Sequence, residues 1–429
     1  MERQTRSIGR RLYGSATLWR DWEENGDDAV SPGYWELFVD LLLVAAASAM
    51  ADVLLEDQSW HGFYEFLLLY TAMINGWLLY THHYTSRFRE SSLTHTLVLF
   101  FYLLGMAITI VNASYATAAA FSMGVILQRA TWICMMVPIG WTLPRAKDFC
   151  LVICSTQCLY LLPHLVTAVH PAWARTTWTV AFVLDLLMVP TVALCLPVAK
   201  LIPINIEHTK DRLGVLVLIM LGETVISSTM TYREYAAERD VGESWRYYVV
   251  LGLAFLLIFM LTLLYFHVQP EPRDHALRLS KWLGTLLMLL NLIMGMTLLT
   301  LGVSIKLVVH AVAEDEDLST FSQLLLTRAV GSALVLLLLS RLCHFGGRIP
   351  RATDPPHVKR LMRRWWVLFA AVSVTPFYLP NLSQPIWSLA SISGLLLSWV
   401  LLESWFSHTL EEHLPGASEE SQPLTVSTS

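Results

Sequence analysis

The apolar residues of this chain arrive in blocks of about twenty, and that block length constrains the fold more than any other feature. A bilayer core about 30 Å thick needs roughly twenty apolar residues from each helix that crosses it. Twelve such stretches follow one another, at residues 35–55, 63–84, 94–112, 119–141, 149–169, 176–198, 213–230, 247–268, 282–303, 324–345, 365–380 and 386–405. Within lipid each backbone N–H and C=O must be satisfied inside the chain, so these stretches read as helices. Composition agrees. The 429 residues are 55% hydrophobic and 15% charged, against about 25% charged in soluble domains. That excludes a soluble enzyme, a nucleic-acid binder and a disordered scaffold. The sequence predicts an all-α, polytopic transmembrane helix bundle of about twelve spans, whose one certain partner is the lipid bilayer. Residues 35–405 form the membrane domain, between a tail at 1–34 and an acidic, disordered tail at 406–429. The eleventh stretch is the shortest.

The basic residues give an orientation. With the N-terminus inside, 22 Lys and Arg fall in cytoplasmic segments and six on the opposite side, with Arg129 left inside a span. Such a bias is what sets topology, and it places both termini in the cytoplasm. Five arginines and six acids precede Trp35, which is not the basic-then-apolar pattern of a signal peptide. The expected location is integral to the plasma membrane rather than an organelle.

The informative residues are charges that break the apolar pattern. Arg129, Asp185 and Glu223 lie near the middles of the fourth, sixth and seventh stretches. A central Arg or Asp costs about 2.5–3.5 kcal/mol on insertion scales, so three unpaired ones would cost on the order of 8–10 kcal/mol. They must face one another, other polar groups or water. One arginine and two acids leave an excess carboxylate, which suits a proton or cation carrier and also suits a structural ion pair beside a protonated acid. By sequence Glu223 is the candidate free acid, because Gly222 beside it admits a helix or a solute. Glu36 and Asp40 lie four apart on one helix face, a turn inside the cytoplasmic boundary. Glu36 reads as a carboxylate at a helix N-terminus; Asp40 lies deeper and needs a donor.

Other signals are weaker. Cys150, Cys154 and Cys158 share a helix face but read as packing residues. Trp35, Trp141, Trp282, Trp365, Trp366 and Trp405 mark span ends, as an aromatic belt would. Pro190 and Pro197 are expected to kink the sixth span. Ala390, Gly394 and Ser398 form a small-residue packing face. No phosphate-loop, metal-ligand or nucleophile-elbow pattern falls on a plausible element, so the sequence nominates no enzyme, no cofactor and no metal.

Two segments carry a family resemblance. Trp35-Glu36-Leu37-Phe38-Val39-Asp40-Leu41 resembles the ELFFDL opening of the bacterial low temperature requirement A (LtrA) membrane proteins. His208-Thr209-Lys210-Asp211-Arg212-Leu213-Gly214, running on to Leu221-Gly222-Glu223, resembles that family's H-x-x-E-R-F-G…L-G-E element. Trp77 to Tyr84 with Arg87-Phe88 is similar to its W…Y…RF stretch. Val39, Asp211 and Leu213 depart from the usual Phe, Glu and Phe. The resemblance spans about 35–405 and marks Glu36, Asp40, His208, Asp211, Arg212, Gly222 and Glu223, without naming a substrate.

The two motifs also resemble each other at an offset of 175 residues, Glu36 over Asp211 and Ser48 over Glu223. With six spans between them, halves 35–198 and 208–405 would be parallel repeats, a common transporter plan with its site at the repeat interface. The leading expectation is a transporter or channel-like protein for a small solute or ion, with proton coupling as an option. The alternative is a non-transporting sensor or scaffold whose intramembrane charges fix helix register. On the first reading Asp40 is predicted to meet Arg212, and Arg129 to meet Asp185 or Glu223.

Overall fold

The computed structural model describes residues 17–18, 33–89, 92–238, 245–270, 275–344, 355–380 and 382–413. Among them are twelve long helices: α1 Tyr34–Glu56, α2 Trp60–Leu78, α3 Leu93–Val111, α4 Ala118–Thr142, α5 Lys147–Val169, α6 Ala174–Cys195, α7 Ile206–Glu238, α8 Trp245–Val268, α9 Lys281–Glu314, α10 Thr320–Cys343, α11 Pro356–Val374 and α12 Pro385–His413. A four-residue helix, Ala276–Leu279, precedes α9. Most of the expected first tail and residues 414–429 of the second lie outside the described residues; the last helix runs on to His413, so 406–413, expected in a disordered tail, are helical. The chain is a multi-pass membrane protein of all-α class, and each predicted stretch coincides with one long helix.

Nine of the twelve are long and apolar enough to cross a bilayer by length and composition. The other three, α2, α7 and α11, carry more polar residues. In α11 the first turns hold Lys359, Arg360, Arg363 and Arg364. From Trp365 to Val374 the helix rises only about 15 Å, half a bilayer core. A 3₁₀ turn, Thr375–Tyr378, follows it. Large apolar side chains such as Phe100, Leu187, Phe255 and Leu401 are exposed along the helices, the surface lipid would cover.

Local sequence sets the helix starts. The hydroxyls of Ser59, Ser92, Ser280 and Ser319 accept amide hydrogens of the first turns of α2, α3, α9 and α10, satisfying donors that would otherwise lack partners. Pro190 lies inside α6. Pro197, expected inside that span, falls beyond its end at Cys195 and starts a 3₁₀ turn. Past Leu78, α2 continues as a seven-residue π-helix, Leu79–Thr85, a wider winding often found at functional sites.

α9 is the central post, packing on α1, α2, α6, α7, α8, α10 and α12. The pairings α1–α2, α1–α3, α2–α6, α3–α4, α4–α5 and α5–α6 recur as α7–α8, α7–α9, α8–α12, α9–α10, α10–α11 and α11–α12. Glycine permits the closest approach, between α3 and α4. A Cβ on Gly105 would sit 2.6 Å from the Gln128 nitrogen, and one on Gly124 would sit 2.7 Å from the Thr109 nitrogen. The small-residue face of the last span is different: Gly394 and Ser398 are exposed, and a Cβ on Gly394 would meet nothing within 4 Å. At Gly394 and Ser398 that face looks outward, away from the described residues.

Candidate functional site

Two polar centres stand out inside the bundle. The first joins α1, α2 and α7. Arg212 grips Asp40 with both terminal nitrogens, Nη1 to Oδ2 at 2.7 Å and Nη2 to Oδ1. Trp77 Nε1 donates to the same carboxylate at 2.9 Å, and the guanidinium lies 5.4 Å from the Trp77 ring centre. One turn earlier, Glu36 accepts from the Gly33 amide at 3.0 Å and meets His208 Nε2 at 3.0 Å. Both contacts join residues 172 apart in sequence. Equal steps of four along each helix require α1 and α7 to run parallel from the same level. Asp40 and Arg212 therefore sit together as expected. Glu36 does more than cap its helix. Asp211 is exposed and stands apart from the cluster.

The second centre lies deeper, between α2, α4, α5 and α6. Arg129, with no exposed surface, donates through Nη2 to the Ala72 carbonyl at 3.1 Å and through Nη1 to Gln157 Oε1 at 3.3 Å. Its guanidinium lies over the Tyr160 ring, 4.7 Å from the centre. Asp185 is buried nearby, flanked by Asn75 and Tyr160. Yet Arg129 makes no ion pair with a carboxylate among the described residues, and Glu223 sits apart, buried on α7. Gly222 has open space where a Cβ would stand. Of the two acids considered for Arg129, it is Asp185 that shares its surroundings.

Arg129, Asp185, Asn75 and Gln157 form the floor of a cavity of about 660 Å³. Its walls are Leu79, His82 and His83 of the π-helix with apolar residues of α5, α6 and α9, and at its mouth it is lined by Val198, residues 201–207 and residues 277–281. Those mouth segments lead into the first turns of α7 and α9, so the cavity opens on the face the basic residues assign to the cytoplasm. From Cys195 to Asp185 the helix rises about 15 Å, which puts the floor near mid-bilayer. Around the floor Arg129 Nε, Asn75 Nδ2, Tyr160 Oη and Asp185 Oδ2 are buried without a hydrogen-bond partner.

The comparison with known families decides membership. A family model described as bacterial low temperature requirement A protein (LtrA) matches residues 32–403. The chain belongs to the LtrA family. The matched span holds both polar centres of this LtrA protein. No curated protein and no solved structure matches it.

Sequence reasoning missed several partners in this LtrA protein. Asn75 and Gln157 are uncharged, and a scan for intramembrane charges passes over them. Arg341 and Glu403 form a third centre, with Nη1 to Oε1 at 2.9 Å, Trp365 Nε1 on Oε2 at 2.5 Å and the guanidinium 4.6 Å from the Trp365 ring centre. Arg341 passes as a loop charge at a span end. Trp365, expected in the aromatic belt, is fully buried, because its indole N–H is committed to Glu403. The available signal was Glu403, an acid inside the apolar run of the last stretch.

Proposed function

We propose that this LtrA protein transports a small solute or ion, with the cavity above Arg129 and Asp185 as its inward-facing site. One observation carries the reading. A polar floor near mid-bilayer, with Arg129 Nε, Asn75 Nδ2 and Asp185 Oδ2 unpartnered, lies under a cavity that opens to one membrane face. Burying such atoms costs roughly 1–3 kcal/mol each unless something enters to bond them. Arg129 and Asp185 are the pathway residues on this reading. Asp40, Arg212, Glu36 and His208 hold α1 against α7 beside it. Asp185 is the candidate proton carrier, since it is the carboxylate in the cavity floor. The recurring pairings of α1–α6 and α7–α12 support parallel repeats at 35–198 and 208–405, and the 22-to-6 basic split supports cytoplasmic termini. We assign the plasma membrane as its bilayer and no enzymatic reaction.

The alternative is a sensor or scaffold whose charges only fix helix register, and the buried Asp40–Arg212 and Glu403–Arg341 ion pairs favour it. Proteoliposome flux under an imposed pH or ion gradient separates the two. Transport predicts a flux that Asp185→Asn removes. No flux under any gradient, with the reconstituted protein folded, would leave the scaffold.

A further inference from the structure

We infer that the cavity binds a small organic carboxylate with an apolar body. This rests on the reading of the cavity as a solute site. Four fixed cations, Arg87, Arg129, Arg278 and Lys281, line it against two carboxylates, Asp185 and Glu207. Lys281 is spent on the end of α6, donating to the carbonyls of Ala193 at 2.6 Å and Leu196 at 3.3 Å. Arg87 and Arg129 are the telling pair. Both are buried, and neither makes an ion pair with a carboxylate among the described residues. Among the described residues Arg87 donates to the His82 carbonyl and, at 3.4 Å, to Ser86 Oγ. The buried arginines away from the cavity behave differently: Arg212 holds Asp40 and Arg341 holds Glu403.

An arginine does not lose its proton in a protein, so each unmatched guanidinium stays charged and favours an anion in the space beside it. Its fork of N–H groups fits the two oxygens of a carboxylate. The unpartnered atoms point the same way. Of those on residues that line the cavity, Arg87 Nε, Arg129 Nε and Asn75 Nδ2 can donate, His82 and His83 Nδ1 can take either role, and Asp185 Oδ2 is the one pure acceptor. That excess of donors suits an oxyanion and does not suit a cation. The apolar body follows from the walls, where Leu78, Ile153, Met188, Val192 and Leu292 face the space. A bare inorganic ion would leave most of the volume unfilled, whereas cavities of about 300–1,000 Å³ are the size that encloses a drug-sized ligand. Asp185 competes with such a ligand for the field of Arg129.

The test is thermal stabilisation of the purified full-length protein by a panel of probes. The panel contains benzoate and the straight-chain acids from acetate to decanoate, their primary amides, the matching amines, and inorganic phosphate. Acids with an apolar body should raise Tm in a saturable way, and amides, amines and phosphate should not. Arg129→Lys or Arg87→Gln should weaken the acid by about tenfold or more, and Asp185→Asn should tighten it, a tenfold change being about 1.4 kcal/mol. If the Arg129 variant does not fold, Arg87→Gln and Asp185→Asn carry the same two opposite expectations. Equal binding of amides or amines, phosphate binding as tightly as the acids, or an acid effect that no variant changes would each overturn the inference. Acid binding without flux keeps the ligand and removes transport. Flux of another solute with no acid-dependent Tm shift removes the ligand and keeps transport.

Discussion

Arg212 and Arg129 are buried to nearly the same degree, 2% and 0% exposed, and they meet that burial in opposite ways. Arg212 has a two-oxygen carboxylate, an indole N–H on the same acid and an aromatic face beside it. Arg129 has a carbonyl, an amide oxygen and an aromatic face, with the nearby acid left unbonded on one side. A buried charge needs a partner and further hydrogen bonds to offset desolvation. The Asp40 node supplies the counter-charge from its own chain; the Arg129 floor leaves the guanidinium without an ion pair among the described residues, beside a cavity. The lesson is that burial of a charge alone does not mark a site. What separates the two is the counter-charge: Arg212 holds a carboxylate directly, and Arg129, beside a cavity, holds none among the described residues.

The sharpest way to break this contrast is to remove one partner of the Asp40 node. Asp40→Ala leaves Arg212 buried without its anion and should cost about 3–5 kcal/mol. Fluorescence-detected size exclusion and a thermal melt of the full chain read the loss. Restoring a neutral packed pair with Asp40→Leu and Arg212→Met should recover most of it, because the harm comes from the orphaned charge. Glu403→Ala should behave alike through Arg341. Near-normal stability of Asp40→Ala would mean that the node is not a structural clamp.

A smaller change dissects the same node. Trp77→Phe keeps a ring near the Arg212 guanidinium but removes the N–H held by Asp40. Hydrogen bonds to charged groups contribute about 1.5–3 kcal/mol, so the melt should fall by less than for Asp40→Ala. A loss as large as that of Asp40→Ala would assign the indole to packing rather than to the hydrogen bond.

The cavity floor should respond in the opposite sense. Asp185→Asn keeps the shape and removes a carboxylate that makes no ion pair among the described residues, so stability should change by less than about 1 kcal/mol while flux in proteoliposomes falls at least about tenfold. Glu223→Gln, away from the cavity, should leave flux near the starting level. Loss of folded protein in Asp185→Asn with full flux in the survivors would return Asp185 to the structural class.

Much of this arrangement was legible in the sequence, for physical reasons. Apolar block length showed each long helix because the bilayer imposes it directly. The Asp40–Arg212 contact was legible because two motifs begin at one membrane level and a buried acid needs a donor. The Arg129 surroundings were not, because depth places a charge along the membrane normal and says nothing about its direction around the helix. Glu223 and Asp185 share a depth, and only the packing of α4, α5 and α6 brings Asp185 to Arg129. Asn75, Gln157 and Tyr160 were invisible for a similar reason, since mid-span polar residues often bond their own helix. Arg341 with Glu403 was missed because each sits close enough to a span end to pass as interfacial.

The smallest effect expected lies at the cavity mouth. His275 starts the helix Ala276–Leu279, where its Nδ1 accepts the Leu277 amide at 3.3 Å; the Ala276 amide donates to His344 Nδ1 at 3.2 Å. Burial, aided by the neighbouring His344 and Lys210, holds the His275 imidazole down to about 3 from an ordinary 6.5. The folded state thus keeps His275 neutral, while the unfolded chain takes up a proton below pH 6.5. Its contribution to stability is complete above pH 6.5 and declines as the pH falls toward 3. Tm should therefore drop on acidification across that window, and the mouth helix should exchange its amide hydrogens faster. His275→Asn keeps an acceptor at the helix start without an imidazole to titrate, and should flatten this part of the acid limb. An unchanged limb in His275→Asn would place the acid sensitivity elsewhere and leave the mouth helix indifferent to pH.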